Sequence, residues 1–228
     1  MSDGASDGVS EPVEPTVERW YFGEQPLDQT RELAIVLREL MGTAVGLEGE
    51  SSELATAIAE LRALNERLAA VGPADLRPRV GDSPRDDQRV YLDHSRDIGE
   101  YNAAFPRYEI AVADDRAEGT ITFPLVYEGP PGVVHGGFLA VLFDCILQHL
   151  SCDMGRAGKT RNLNVRYRRP TPILTELQFS AQRVVTDEAI EFAAELRDGE
   201  TLLCSAEMSA VLGNRANLPA VSPRRPSA

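Results

Sequence analysis

Hydrophobic and polar positions change their spacing near residue 106, and this change divides the chain into two kinds of structure. Before it, apolar residues recur every three or four positions in two segments, Leu27 to Met41 and Leu54 to Leu68. Such spacing puts the apolar side chains on one face and predicts two amphipathic helices, the second of which Ser51 or Ser52 can cap. Because two helices of this kind have little core of their own, we expect them to dock on a larger domain.

Beyond residue 106, most segments alternate apolar and polar residues, as half-buried strands do. Asp198 and Gly199 lie between two alternating runs and predict a tight hairpin. One segment, Gly136 to Leu150, interrupts the strands and is apolar on nearly all sides, which predicts a buried helix. Two strands, a buried helix and then a further set of antiparallel strands fit a sheet wrapped around one helix.

Composition sets the remaining boundaries of the predicted organisation. Residues 1–25 and 214–228 are rich in Pro, Ser and charged side chains, so we expect a disordered N-terminus and a flexible tail. The two-helix extension occupies residues 26–72. Residues 73–105 contain several Pro and Gly residues among many charges, which predicts a linker or an irregular loop. The strand-rich domain then covers residues 106–213.

The charge balance and the cysteine content exclude several classes of protein. The 228 residues include 36 acidic and 23 basic side chains, a net charge of −13, which argues against a nucleic-acid partner. No apolar run approaches the ~20 residues that a membrane helix needs, and the acidic N-terminus lacks the apolar core of a signal peptide. Three cysteines are too few for a disulfide scaffold and lack the spacing of a zinc site. We therefore expect a soluble, cytoplasmic protein.

The start of the predicted buried helix is a candidate anion site. Gly136 and Gly137 lie where a loop becomes a helix, and backbone N–H groups at a helix start are unpaired. The helix dipole also favours negative charge there, so an oxyanion can be held. The alternative is that the two glycines only form a tight turn.

The middle of the same helix carries a carboxylate. Asp144 lies between Phe143 and Cys145, and a buried carboxylate is costly unless it is paired or hydrogen-bonded. Perturbed acids cluster at functional sites, although this one can also be a structural cap of a nearby turn. Thr160, at the head of the next strand, can hold the carboxylate or a water, but a threonine at a strand start is usually structural.

The spacing of these groups requires a second chain. Gly137 and Asp144 are seven residues apart on one helix, or roughly 10 Å at ~1.5 Å per residue. That distance is too large for both to act on one carbonyl group. If both are catalytic, two antiparallel helices related by a two-fold axis must bring them together, which predicts a homodimer with two shared sites.

At these residues the sequence resembles a known family. The motifs HGGFLAVLFD (His135 to Asp144) and T-x-N-L-N-V-x-Y-x-R-P-x-P (Thr160 to Pro172) resemble those of the PaaI-like hotdog-fold acyl-CoA thioesterases. The approach EGPPGVVHGG (Glu128 to Gly137) is similar to the branch that includes the animal mitochondrial acyl-CoA thioesterases. The resemblance covers residues 107–213. It implies an α+β hotdog fold, here with an N-terminal helical extension, in chains that pair as homodimers and often as dimers of dimers.

The resemblance also implies roles for individual residues. Asp144 would be the general base or nucleophile, and the Gly136 amide would polarise the thioester carbonyl with Gly137 beside it. Thr160 would assist the carboxylate and its water, while His135 would shape the loop and contribute a hydrogen bond. A thioester is already activated, so no metal or redox cofactor is expected; coenzyme A enters as part of the substrate.

Two further features bear on substrate binding. Several relatives have an Asn as a second carbonyl donor where this chain has Gly129, although the more similar branch also lacks it. Arg166, Arg168 and Arg169 belong to the densest cationic cluster of the domain, and we expect some of them at the nucleotide end of coenzyme A. Strand alternation would put Arg169 on the face opposite the other two. A solvated strand edge explains the cluster equally well.

The sequence therefore favours an acyl-CoA thioesterase, with a non-catalytic acyl- or lipid-binding hotdog module as the alternative. The buried Asp144 and its neighbour Thr160 favour the enzyme, whereas the missing donor at Gly129 favours the binder slightly. A carrier-protein thioester can replace acyl-CoA as substrate. A hotdog dehydratase or hydratase needs a different arrangement of Asp and His.

Overall fold

The computed structural model describes residues 21–155 and 158–225 of the chain. The predicted disorder of residues 1–20 lies outside the described residues. The elements follow the order α1 (Asp28–Val45), α2 (Ser52–Val71), β1 (Asp75–Pro78), β2 (Gln88–Arg89), α3 (Ile98–Tyr101), β3 (Glu109–Ala113), β4 (Arg116–Thr122), α4 (Gly136–Asp153), β5 (Gly158–Tyr167), β6 (Glu176–Val185), β7 (Ala189–Asp198) and β8 (Thr201–Leu212). Short 3₁₀ turns lie at Leu125–Tyr127 and Arg215–Asn217.

Six strands form one antiparallel sheet in the order β3-β4-β6-β7-β8-β5. Burial alternates along β6, so that Leu177, Phe179 and Ala181 face the core. Helix α4 packs against this face, and its Leu142 and Phe143 are fully buried. The hydrophobic pattern therefore predicted this architecture correctly: a sheet wraps around one helix that is apolar on nearly all sides.

The predicted linker 73–105 contains regular structure, which corrects the sequence interpretation. Strands β1 and β2 pair in parallel, and α3 follows them. The buried guanidinium of Arg38, on α1, donates hydrogen bonds to the backbone carbonyls of Gly99, Asn102 and Phe105. A buried cation needs such acceptors, and the carbonyls at the end of α3 supply them. Helix α1 is thereby fixed to this segment.

The two ends of the described chain also make ordered contacts, which corrects the predicted disorder of residues 21–25 and the predicted flexibility of residues 214–225, while residues 226–228 of the predicted tail lie outside the described residues. The amide of Glu24 donates to the carbonyl of Tyr91, at 2.9 Å. In the tail, Val221 forms a β-bridge with Val80, and the guanidinium of Arg224 donates to the carbonyl of Gln25. Polar composition predicted loose ends, but their backbones find partners that composition does not reveal.

The two N-terminal helices differ in how they meet the rest of the chain. Ser51 caps α2 as predicted, because its hydroxyl accepts the Leu54 N–H at 3.1 Å. Helix α1 buries Ala34 and Arg38, as the expected docking requires. Helix α2 buries no residue against the described part of the chain, so the docking prediction is wrong for this helix. None of the described helices is long and apolar enough to cross a bilayer.

Candidate active site

Helix α4 begins at a cap made by His135. The Nδ1 atom of His135 accepts the N–H of Gly137 at 3.0 Å, so this ring nitrogen carries no proton in that contact. The N–H of Gly136 has no hydrogen-bond partner within residues 21–155 and 158–225. Of the two glycine amides named from the sequence, Gly137 is therefore engaged by His135, and Gly136 remains able to bind a ligand.

The loop before α4 explains the glycine at position 129. Its N–H donates to the carbonyl of Val133 at 2.8 Å, which closes a tight turn. A Cβ on Gly129 would lie 2.9 Å from the Cα and Cβ atoms of His135. Distances this short exclude any side chain unless the loop moves. An asparagine donor at this position is therefore incompatible with the way His135 is held.

Tyr167 is a further residue of the helix start, and the sequence interpretation missed its contact. Its hydroxyl, at the end of β5, donates to the carbonyl of Gly136 at 2.9 Å. A Cβ added at Gly136 would lie 3.3 Å from the Tyr167 ring. The motif that carries Tyr167 was visible in the sequence, but no spacing rule indicates that this strand end reaches the helix start.

The carboxylate end of the site is a chain of three side chains. Thr160 donates its hydroxyl proton to Oδ1 of Asp144 at 3.0 Å, so the structure brings these two predicted residues together. The amide of Gln148 donates to Oγ1 of Thr160 at 2.8 Å and to the carbonyl of Gly158 at 3.3 Å. Because a hydroxyl has one proton, the bond from Gln148 directs the proton of Thr160 towards Asp144.

Gln148 had a detectable sequence signal. It lies four residues after Asp144, and residues at this spacing share one face of a helix. The sequence interpretation gave Gln148 no place in the site. Its amide is instead part of the network that orients the carboxylate.

The neighbouring thiol is not a competing nucleophile. Burial, together with the nearby Asp144 carboxylate, raises the pKa of Cys145 to about 12. Burial likewise raises the pKa of Cys152 and of Cys204 to about 11. All three thiols are therefore protonated near neutral pH, while a reactive cysteine needs its thiolate form. Asp144 stays the predicted nucleophile or base of this helix.

The two halves of the candidate site lie at separate places on α4. Gly136 is the first residue of the helix and Asp144 is eight residues further, roughly 12 Å along the axis. One chain therefore cannot direct both groups at the same carbonyl carbon. The shared site of a homodimer remains a prediction.

The arginine cluster differs in part from its prediction. Arg166, Arg168 and Arg169 are all exposed, as ligands for phosphate must be. However, β5 ends at Tyr167, and the amides of Arg168 and Arg169 both donate to the carbonyl of Leu203, at 2.9 and 3.0 Å. The two side chains line one depression instead of opposite faces, because strand alternation stops before them.

Comparison with solved structures identifies the fold class. No family model matches the chain. A crystal structure of a thioesterase superfamily protein has a TM-score of 0.68 and 26% identity, and the match covers 84% of this chain and 99% of that one. The chain therefore has the hotdog fold of thioesterase superfamily proteins, as predicted. Since residues 106–213 make up less than half of the chain, the likeness extends into the N-terminal region, beyond the sequence motifs.

Two other solved structures are similar over about half of the chain. One is a hypothetical thioesterase from Streptococcus pneumoniae with coenzyme A, with a TM-score of 0.44, 19% identity and coverage of 46% of this chain and 88% of that one. The other is a Streptococcus mutans protein bound to acetyl CoA, with a TM-score of 0.46, 14% identity and coverage of 48% and 90%.

Proposed function

We propose that the protein is a PaaI-like acyl-CoA thioesterase, which hydrolyses an acyl-CoA to the free acid and coenzyme A. The observation that carries this proposal is the series of hydrogen bonds from Gln148 to Thr160 to Asp144. It directs the hydroxyl proton of Thr160 to one oxygen of the half-buried Asp144 carboxylate. The other oxygen stays available for chemistry. A binding module gains nothing from an oriented carboxylate in the middle of its core helix.

The second half of the site comes from a second copy of the chain. Among the described residues, β5 pairs with β8 on one side and has no strand on its other side. Antiparallel pairing of this edge with the β5 of another copy would extend the sheet and set the two α4 helices antiparallel. Asp144 would then face Gly136 of the partner subunit, which removes the separation found within one chain.

The reaction at such a site is acid–base and electrostatic catalysis. Asp144 takes a proton from a water whose oxygen attacks the thioester carbonyl carbon, and the carbonyl electron pair moves onto its oxygen. The N–H of Gly136 of the partner subunit stabilises that oxyanion. Collapse breaks the carbon–sulfur bond, and the departing thiolate recovers the proton. Direct attack by Asp144, through a mixed anhydride that water then hydrolyses, uses the same groups.

The cationic cluster supports a phosphate-bearing substrate. Coenzyme A is strongly anionic, whereas the chain has a net charge of −13, so a local positive patch is needed. Exposed Arg166, Arg168 and Arg169 supply it, and guanidinium groups bind phosphate through paired hydrogen bonds. A carrier-protein thioester would use the same arginines against its phosphate.

The test is steady-state release of free thiol from a panel of short, aromatic and long acyl-CoAs. Asp144→Asn keeps the shape of the side chain and removes the base, and we expect turnover to fall by about 10²- to 10⁴-fold. Asp187→Asn, in the exposed turn between β6 and β7, is the matched control and should retain full turnover. Equal rates for the two variants would refute the assigned role of Asp144.

The alternative function is acyl or lipid binding without hydrolysis. The observation that favours it is the turn at Gly129, which has no room for the second carbonyl donor. Absence of turnover across the panel, with saturable binding of an acyl-CoA by the folded wild-type protein, would establish this alternative.

A further inference from the structure

Two adjoining cavities lie beside the proposed acid. The first, of about 510 Å³, is bordered by Gln148 and Gly158, the two residues joined by the amide that also holds Thr160. The second, of about 550 Å³, extends towards Val80 and the tail. Phe22, Tyr91 and Leu218 line both cavities and form the partition between them.

The partition comes from outside the core hotdog elements. Phe22 belongs to the N-terminal segment, Tyr91 to the region between β2 and α3, and Leu218 to the C-terminal tail. These three segments thus border a space that begins one hydrogen bond away from the Thr160–Asp144 pair. This placement gives the N- and C-terminal segments a role at the site.

The charged residues along the two cavities favour a neutral hydrocarbon chain over one that ends in a carboxylate. Lys159 is the one charged residue among the described lining residues of the first cavity. Two polar side chains of the wall are already engaged: Gln148 bonds Thr160, and the ring Nδ1 of His94 lies 3.1 Å from the Tyr101 hydroxyl. Burial lowers the pKa of His94, which keeps that ring neutral near pH 7. A carboxylate at the far end of a long dicarboxylic acyl group would reach the second cavity, where the one charged residue among the described lining residues is Glu24, of the same sign.

We propose that the first cavity binds the acyl chain of the substrate, and that a long unbranched chain passes Phe22, Tyr91 and Leu218 into the second cavity. The proposal rests on the thioesterase function proposed above and names its substrate class: neutral medium- and long-chain acyl thioesters. Because each added methylene buries apolar surface, kcat/KM should rise by about fourfold per methylene, or about 0.8 kcal/mol, until the cavities are filled.

The test narrows the partition. Leu218→Trp should lower kcat/KM for decanoyl-CoA by about 10-fold or more, a loss of roughly 1.4 kcal/mol, and should leave propionyl-CoA within about twofold. Leu76→Trp, on the exposed side chain of β1, is the matched control and should affect neither substrate. Phe22→Ala removes bulk from the same partition and should favour longer chains. Equal effects of Leu218→Trp on both substrates, or no effect on either, would overturn the proposal.

A direct binding measurement separates this proposal from the thioesterase function. Calorimetry with decanoic acid should show binding to the wild type and to Leu76→Trp, with weakened binding to Leu218→Trp. If no acyl-CoA is hydrolysed but this binding pattern holds, the proposed function fails and the acyl site stands. If thioesters are hydrolysed but decanoic acid binds both tryptophan variants equally, the site is wrong and the function stands.

Helix α2 carries a second, independent inference. Its apolar residues follow the alternating three- and four-residue spacing of a coiled-coil seam, at Leu54, Ala57, Leu61, Leu64, Leu68 and Val71. Leu61 and Leu68 are 40% and 47% exposed, and the helix buries no residue in the described chain. Most helical stability in proteins comes from packing of the amphipathic face, and α2 buries none of its residues in the described chain, so we expect this seam to have a partner.

The seam is complementary to itself in one orientation. In an antiparallel pair, the small Ala57 meets Leu68 of the partner subunit, whereas a parallel pair would leave two alanines opposite each other. The flanking charges agree, because Glu60 then lies beside Arg67 of the partner subunit. A parallel pair would instead place Glu60 against a neutral asparagine. The antiparallel arrangement is favoured because it pairs a small side chain with a large one and an acidic side chain with a basic one.

We infer that α2 forms an antiparallel coiled coil with the α2 of a second copy of this chain. The contact is distinct from the proposed β5 edge pairing, and two different two-fold contacts would assemble four chains. If the α2 contact forms without the β5 edge pairing, two chains assemble. In either case, disruption of α2 halves the mass of the particle.

The test is light scattering after gel filtration. Leu61→Glu places a charge in the seam and should halve the molar mass found for the wild type. Ala59→Glu puts the same charge on the opposite face of α2 and should leave the mass unchanged. Charge reversal at Glu60→Arg alone should weaken assembly, and adding Arg67→Glu should restore it. An unchanged mass in Leu61→Glu would overturn the inference.

Discussion

Helices α4 and α2 have similar lengths, 18 and 20 residues, and opposite environments. Helix α4 is apolar on nearly all sides and has ten buried residues within the sheet, whereas α2 has one apolar stripe and buries none. The candidate chemistry lies on α4, because a packed helix holds Asp144 and its partners in fixed positions. The difference shows that helical periodicity predicts where a helix forms along the chain. The width of its apolar face decides whether that helix is buried in the core.

The largest expected difference between the two helices is in stability. Phe143→Ala removes a fully buried ring of α4 and should lower the free energy of unfolding by about 3–5 kcal/mol. Ile58→Ala, on α2, should change it by less than about 0.5 kcal/mol at low protein concentration, because Ile58 is 44% exposed. Denaturant titration measures both. Similar losses would show that α2 is packed against the domain.

Two threonines, Thr160 beside α4 and Thr56 on α2, test the hydrogen-bond network around Asp144. Thr160→Val keeps the shape of the side chain but removes the hydrogen bond to Asp144. Because a hydrogen bond to a charged group contributes about 1.5–3 kcal/mol, kcat should fall by roughly 10- to 100-fold. Thr56→Val, on α2, loses only a bond to the Ser52 carbonyl and should leave the rate unchanged. Thiol-release kinetics would contradict the network if both variants kept wild-type activity.

The helix caps offer a smaller contrast. His135→Ala and Ser51→Ala each remove a side-chain acceptor for one backbone N–H, at a cost of about 1 kcal/mol. In α4 the loss should appear in the global free energy of unfolding, because the helix is part of the core. In α2 it should appear as local fraying in hydrogen exchange, with no change in global unfolding. Global destabilisation by Ser51→Ala would show that the two regions unfold together.

The last contrast between the two helices, whose effect at neutral pH is the smallest, concerns thiol chemistry. At pH 8, Ellman's reagent should react rapidly with the thiol introduced by Ala59→Cys on the exposed helix α2. It should react slowly with the three native cysteines. The raised pKa values, about 11 to 12, mean that folding favours the protonated thiols. Since unfolded thiols ionise at about 8.5, stability should fall as pH rises above about 9 towards 12. Rapid reaction of all native thiols at pH 8 would contradict their burial.

Part of the site was predictable because its signals are local. Asp144 was identified as a charged residue within an apolar helix, and Thr160 was identified as the first residue of the strand and its motif. Gln148 was overlooked although its spacing from Asp144 was visible. The contact of Tyr167 with Gly136 could not be predicted, because the two residues are 31 positions apart along the chain.

Hydrophobic periodicity by itself determined the buried helix, the antiparallel strands and the capped second helix, because each depends on neighbouring residues along the chain. Only the tertiary structure decided that residues 73–105 and 214–225 make ordered contacts, since their backbones pair with distant segments. It also decided that Gly137 is engaged by His135 while Gly136 is not. Short-range patterns record local preference, whereas these contacts depend on where the folded sheet carries each segment.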